Sequence, residues 1–364
     1  MTDDTTLHDL LQEHLAPTAH LSRHRMTVLT LLVTALIQMA TVNLTRLALL
    51  LPATLASNYR RLQRFFAQTK LSQRATSHVV LHLLPQRTTY LIAIDRTEWH
   101  FGRTPINFLV ASLVHEGTSF PLVWIVLGKA GSSHATEQRA ILRKLFLVLT
   151  PERIEAVLAD REFIASPFLA YLAQYDVPYG VRIRKNARVE HRGVSRPAES
   201  LFADLAVGEQ RRLRARRVIY GQRVRLYGLR LTDGPKGERR LLLVAGTAPR
   251  LLKLYRKRWG IEVLFAGLKS RGFDFETTHL RAPSRLSLLL GVLTLAYSLA
   301  HATGRYASQH VPLRLKRHGR RAQSVFRLGL DCLRGVLLGH DAAGFDVLLQ
   351  QWQRGSIRAA WPPS

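Results

Sequence analysis

The chain has 364 residues, 47% of them apolar and 21% charged, which suits a globular protein with a sizeable core and two or more structural units, and excludes a disordered one. Lysine and arginine outnumber aspartate and glutamate 53 to 25, for a formal net charge of +28. A field that strong favours a polyanionic partner, nucleic acid before an anionic membrane surface. The single cysteine, Cys332, excludes an internal disulfide and a cysteine-based zinc site. The histidines, among them His78, His82, His100 and His115, show no ligand spacing and read as surface or core residues.

The chain opens with Asp3, Asp4, Asp9 and Glu13 where a secretory signal would place basic residues and an apolar run, so it reads as cytoplasmic. Met26 to Leu51 is apolar, but Gln38, Asn43, Arg46 and several threonines interrupt it. A membrane span needs roughly 20 nearly unbroken apolar residues, so a bundle helix is the better reading and no membrane contact is expected. Residues 1–88 read as an all-helical DNA-binding domain, with helices over Leu7–Leu15, Arg25–Leu36, Leu44–Leu50 and Asn58–Gln68, and Pro17 and Pro52 between them. In the last helix Arg60, Arg61 and Arg64 recur beside Tyr59, Leu62 and Phe65, behind a Ser57 cap. Their donors suit phosphates or base edges in a groove. An ordinary amphipathic helix is the competing reading, and the charge of the chain favours DNA.

From about residue 89 the pattern becomes mixed α/β. Tyr90–Asp95, Ile106–Leu113 and Phe120–Leu127 predict three strands of a meander, with turn residues at Glu116-Gly-Thr and Gly128. A helix over Thr136–Leu149 follows, then a strand over Ile154–Asp160, a helix over Ser166–Gln174 with Ser166 as cap and Pro167 in its first turn, and a strand over Tyr179–Arg184. Residues 185–240 lose the helical signal and predict short hairpins turned at Gly221 and Gly234, with arginines on one face. Few acids (Glu209, Asp233, Glu238) lie nearby in sequence to pair with them, so phosphate binding is the better account. A strand over Leu241–Ala245 and an apolar helix over Leu286–Ala300 complete a unit spanning 89–310, and residues 311–364 form a basic C-terminal region with a loop at Lys316–Arg321.

Between those last two elements lies Tyr255-Arg-Lys-Arg-Trp-Gly-Ile-Glu262, running on to Lys269. As one helix at about 100° per residue, Tyr255, Arg258, Glu262 and Lys269 fall within an arc of about 60°. Leu254, Ile261, Leu264, Phe265 and Leu268 occupy the neighbouring arc and face a core. The bland reading is a solvated face with an Arg258–Glu262 pair one turn apart. Asp95 and Asp160 at strand ends, together with Glu262, raise the alternative of three acids that cannot all ionise cheaply unless divalent cations join them. Two magnesium ions would do so and would serve phosphoryl transfer on DNA.

Asp95-Arg-Thr-Glu-Trp99, Asp160-Arg-Glu-Phe163 and the Tyr255, Arg258, Glu262, Lys269 spacing resemble the transposases of bacterial insertion sequences that carry the Y-R-E-K motif. The resemblance covers about residues 90–280 and implies an RNase H-like catalytic core interrupted by a β-rich insertion. It implies that Asp95, Asp160 and Glu262 are catalytic and hold two Mg²⁺ or Mn²⁺ ions, and that Tyr255, Arg258 and Lys269 grip phosphates near the cleaved end. The implied reaction is cut-and-paste transposition, through hydrolysis, a hairpin and strand transfer, by a homodimer on double-stranded DNA. A silent DNA-binding regulator derived from such an enzyme is the alternative. Some relatives stack a flipped base on a tryptophan of the insertion. Residues 185–240 contain none, so either Tyr220 or Tyr227 takes that role or the hairpin step differs here.

Overall fold

The computed structural model describes residues 8, 9, 11–13, 15, 21–232, 234, 237, 238, 240–310, 313, 315–317 and 321–337. Most of the C-terminal region expected to be basic, the acidic residues Asp3 and Asp4, and Asp233 lie outside these residues.

The described residues before the first strand are helical, with α1 at Arg23–Met39, α2 at Leu44–Ala48, α3 at Leu55–Gln68 and α4 at Gln73–Leu83. The sequence reading missed α4, whose apolar positions Val79, Val80, Leu81 and Leu83 are buried. It also began α3 three residues late. Thr54, not Ser57, is the cap, and its hydroxyl accepts from the Ser57 N–H. Asn58 is then interior: its amide donates to the carbonyls of Ala48, Leu51 and Ala53 and so fixes the turn that joins α2 to α3. These helices share one core with the rest of the chain. Leu29, Leu62 and Val80 belong to the same buried cluster as Ile94, Leu264 and Leu293.

The sheet begins with β1 (Tyr90–Phe101), β2 (Thr104–His115) and β3 (Thr118–Leu127), an antiparallel meander longer than the apolar runs suggested. Glu116 and Gly117, both with positive φ, form the two-residue turn between β2 and β3, a geometry matched to the strand twist. The chain then runs through α5 (Ala135–Phe146), β4 (Ile154–Ala159), α6 (Ser166–Gln174) and β5 (Tyr179–Arg182). Ala165 rather than Ser166 caps α6, without a side-chain bond. β4 pairs parallel to β1 and β5 parallel to β4, so the order is 3-2-1-4-5. A mixed α/β core with this order is consistent with the RNase H-like fold.

Residues 188–246 add β6 (Arg188–His191), β7 (Val194–Pro197), β8 (Gln210–Arg212), β9 (Arg217–Ile219), β10 (Gln222–Arg230) and β11 (Leu241–Gly246). β11 pairs antiparallel to β5, so the added strands continue the same sheet rather than forming a separate layer. Tyr220 and Gly221, both at positive φ, turn β9 into β10 where the sequence placed the hairpin.

Three further elements complete the chain between the sheet and residue 310. They are α7 (Leu251–Arg256), α8 (Trp259–Leu268) and the 28-residue α9 (Pro283–His310), and α10 (Val325–Leu337) follows. α9 is long and apolar enough to cross a membrane by length and composition, yet 89% of its most apolar stretch is buried inside the protein. α1, α4, β3 and α10 pack around it. Hydrogen bonds tie it to the sheet: the Tyr297 and Thr118 hydroxyls share one, and the Trp124 indole N–H donates to Ser287 Oγ.

Candidate active site

Parallel pairing of β1 with β4 ends at Ile94 and Ala159. The next residue on each chain is Asp95 and Asp160, so the register sets the two aspartates side by side on strands about 5 Å apart. Asp160 lies one residue beyond its strand, which ends at Ala159. Asp95 does not end β1, which runs on to Phe101 because Asp95 to Phe101 pair with β2.

The stretch from Tyr255 to Lys269 is not one helix. α7 buries Leu251, Leu252, Leu254 and Tyr255 in a small cluster with Leu91, Ala156, Leu158 and Val244, whereas α8 buries Ile261, Leu264 and Leu268 in the main core. A straight helix cannot serve both clusters, and the chain turns at Lys257 and Arg258 with short bonds from Arg258 N–H to Tyr255 O and from Ile261 N–H to Arg258 O. Gly260 lets the start of α8 approach β3, since a Cβ there would meet the Thr118 carbonyl oxygen at 2.7 Å.

This turn aims Arg258 at the aspartate pair. Its Nη1 donates to Asp95 Oδ2 at 2.7 Å and its Nη2 to Glu262 Oε1 at 2.6 Å, with the Arg258 side chain only 12% exposed. Asp160 takes part through charge: its nearest cation is Arg182, 3.8 Å from Oδ1, and that buried oxygen has no hydrogen-bond partner. Burial raises the Asp95 carboxyl to about 6 against the pull of Arg258 and of the Arg96 N–H, with Asp160 pushing the same way as burial. Burial works against the Arg258 charge, but Tyr255, Asp95, Asp160 and Glu262 around it together raise its hold on the proton.

Of the other two members of the predicted arc, Tyr255 stays beside Arg258, whose guanidinium lies 5.9 Å from its ring, and Lys269 bonds elsewhere. Tyr255 is buried, its hydroxyl has no partner, and burial raises its pKa well above the usual phenol value. Lys269 caps α8 and turns to Glu276 at 2.7 Å and to the face of Trp99 at 5.3 Å. The chain breaks between α7 and α8, yet Tyr255 on α7 still stands against Arg258, whereas Lys269 at the far end of α8 turns to Glu276.

Two features of the site went unread in the sequence. Arg96 Nε donates to both oxygens of Glu162 at 3.1 and 3.0 Å, and its Nη1 reaches Glu98 and Asn107. Ser133 Oγ donates to Glu162 at 2.8 Å. This network pins the residue after Asp95 to the second residue after Asp160, and its signal was the pair of charged residues trailing each aspartate. The second feature is Trp259, 63% exposed beside Arg258. On the wheel it falls at about 40°, just outside the polar arc, where it is legible once every residue is placed.

Away from the acids, Arg60 and Arg64 are exposed on α3 and line a shallow cavity with Gln63 and with Arg285 of α9. Arg61 points to another side and is half-buried, and Tyr59 packs against the core, so the four do not form one face. A second groove gathers Arg211, Arg212, Arg250, Lys253 and Arg256 around Tyr227. Within it Arg211 is taken by Asp204 and Glu209, of which only Glu209 was foreseen.

Among the described residues, no three acids or histidines stand in an arrangement ready to hold a metal ion. The donor chemistry nonetheless fits one. Three carboxylates are hard oxygen ligands of the kind Mg²⁺ and Mn²⁺ take, and the buried Asp160 Oδ1, without a hydrogen-bond partner and with Arg182 no nearer than 3.8 Å, is a free donor atom.

The family described as the transposase DDE domain matches residues 86–299, well over half of the chain and inclusive of Asp95, Asp160 and Glu262. No curated protein sequence matches significantly. Among solved structures, the endonuclease V of Bacillus subtilis is similar at 11% identity over 62% of this chain and 88% of its own, with a TM-score of 0.25. The C-terminal lobe of a budding yeast Argonaute is similar at 11% identity over 70% and 57%, with a TM-score of 0.21. Likenesses that distant carry no argument. Transposases of this kind act on DNA and in general use divalent metal ions to cleave it. With the family match spanning the sheet, the aspartate pair and the glutamate helix, the chain belongs to the transposase DDE domain family.

Proposed function

We propose that this chain carries out cut-and-paste transposition of a bacterial insertion sequence of the Y-R-E-K type, in the cytoplasm and as a homodimer on the element's ends. The observation that supports this best is the register that sets Asp95 beside Asp160, with Glu262 brought to the same place through Arg258. Asp95, Asp160 and Glu262 are the residues that would hold two Mg²⁺ or Mn²⁺ ions. Such ions supply activation of an attacking oxygen and stabilisation of a leaving one.

The chain's own residues do the rest. Burial around Asp95 strengthens every electrostatic interaction there and keeps bulk water away from the scissile phosphate. Arg60, Arg64 and Arg285, and the groove around Arg212 and Lys253, offer cations to the phosphates of a duplex. Trp259 is better placed than Tyr220 or Tyr227 to stack a base displaced during a hairpin step. It is exposed beside Arg258, while both tyrosines are half-buried and pack against the core.

A silent DNA-binding regulator remains the second reading, because a site whose acids are matched by Arg258 is what such a protein would keep. Incubation with DNA carrying the element's own ends and Mg²⁺, resolved on a denaturing gel, separates the two. Nicked, hairpin and joined products support the transposase, and bound but uncut DNA supports the regulator.

A further inference from the structure

Arg258 occupies the place between two acids that a cation ligand set requires. Its two terminal nitrogens reach Asp95 and Glu262 at 2.7 and 2.6 Å from separate arms of the fork. A Mg²⁺ or Mn²⁺ ion holds oxygens at about 2.1 Å, so two ligands of one ion sit within about 4 Å of each other. The guanidinium satisfies both carboxylates in a different arrangement, and no third acid completes a metal cage among the described residues. One positive charge thus stands where a doubly charged ion would go.

We infer that Arg258 is a gate that couples DNA to the metal site: with no DNA bound it neutralises Asp95 and Glu262 and weakens divalent-ion binding, and a DNA phosphate draws it off and frees both acids. The inference rests on the metal-site reading proposed above. Three observations give the gate its mechanics. Arg258 sits in the two-residue turn between α7 and α8, where its long side chain can swing without moving either helix. Its Glu262 partner is 35% exposed, so one side of the clamp is open to solvent. The exposed Trp259 is its immediate neighbour, which makes this turn a surface that a nucleic acid can reach. The charge balance closes at each state. Without DNA, Arg258 faces two carboxylates; with DNA, the same guanidinium faces phosphate oxygens, for which its fork is equally suited.

Binding free energies are reciprocal, so DNA must tighten metal binding by the factor by which metal tightens DNA binding. The experiment titrates Mn²⁺ into the full chain, followed by electron paramagnetic resonance of the free ion, with and without a 30-base-pair duplex. In the wild-type chain the duplex should tighten Mn²⁺ binding by roughly 5- to 150-fold, the ordinary range of such coupling. Arg258→Gln should bind Mn²⁺ tighter than wild type without DNA and gain little when the duplex is added. Arg258→Lys, which keeps the charge but can reach one carboxylate at a time, should fall between them and serves if the glutamine variant does not fold. Asp95→Asn should remove the binding in either background. Mn²⁺ binding that Asp95→Asn abolishes, but that neither Arg258 variant nor DNA alters, would overturn the gate and leave the metal site standing. Absence of Asp95-dependent Mn²⁺ binding in every variant, with DNA present, would overturn both.

Discussion

The network between Arg96 and Glu162 makes a quantitative prediction. Glu162→Gln keeps the shape of the side chain and removes its charge. It leaves Arg96, 16% exposed, with Glu98 and Asn107 only, and leaves Ser133 with a weaker acceptor. Removing one partner of a fully buried ion pair costs about 3–5 kcal/mol, and a hydrogen bond to a charged group is worth about 1.5–3 kcal/mol. Glu162 is 19% exposed and Glu98 keeps its hold on Arg96, so the expected loss is about 2 kcal/mol, below the buried-pair range and within that of a charged hydrogen bond. The pin also sets the spacing of Asp95 and Asp160, and a shift of about 1 Å in such a site costs about 100-fold in rate. Urea unfolding in EDTA measures the first effect and cleavage of end-containing DNA the second, with DNA affinity expected to hold. A double-mutant cycle with Arg96→Gln should return a coupling of at least about 1 kcal/mol. Stability within about 0.5 kcal/mol of wild type together with normal cleavage would refute the reasoning.

Other perturbations test other parts. Asp95→Asn, Asp160→Asn and Glu262→Gln should each abolish cleavage while a gel-shift assay shows DNA binding retained; lost binding would mark the residue as structural instead. Gly260→Ala drives a Cβ against the Thr118 carbonyl and should lower stability by about 1–3 kcal/mol, read as a fall in melting temperature. Burial, with His115 and Arg305 adding to it, lowers the His301 imidazole to about 3, so the folded chain refuses a proton that the unfolded chain accepts below 6.5. That contribution to stability is complete above pH 6.5 and declines as pH falls, by about 1.4 kcal/mol per pH unit, while the raised Asp95 carboxyl acts with the opposite sign below pH 6. His301→Gln should therefore flatten the acid decline between pH 6 and 4 in urea titrations, and an unchanged slope would mean the imidazole titrates normally. Arg60→Ala with Arg64→Ala should reduce the salt slope of DNA binding by about 2, and an unaltered slope would remove α3 from the interface.

Much of this was legible because it depended on local pattern. The runs Tyr90–Asp95 and Ile154–Asp160 are apolar because both strands are buried in the middle of the sheet, and their register is what sets the two aspartates side by side. What failed depended on tertiary contacts. The sequence from Tyr255 to Lys269 has a helical period throughout, and only the existence of two separate apolar clusters breaks it at Lys257 and Arg258. Period alone cannot say which cluster a leucine will join, and it cannot show that the Lys269 side chain turns to Glu276. The same limit applied to Arg61, which a run of arginines groups with Arg60 and Arg64 although it lies to one side of them. The Arg96–Glu162 pin spans 66 residues, so the charged residues trailing each aspartate hint at it but do not show that they pair.

The charge pattern explains how an acidic site survives in so cationic a chain. Carboxylates gathered where DNA must come repel its phosphates, and they repel one another when buried. Here each is answered by an arginine: Asp95 and Glu262 by Arg258, Asp160 by Arg182, Glu162 by Arg96. Arginine suits this better than lysine because one planar fork can hold two carboxylates at once and later hold a phosphate with the same nitrogens. Lysine at position 258 would satisfy one acid at a time and leave the other without its partner. The excess of basic residues thus serves two ends with one residue type. At long range it draws in the polyanion, and at short range it quiets the acids until the polyanion arrives.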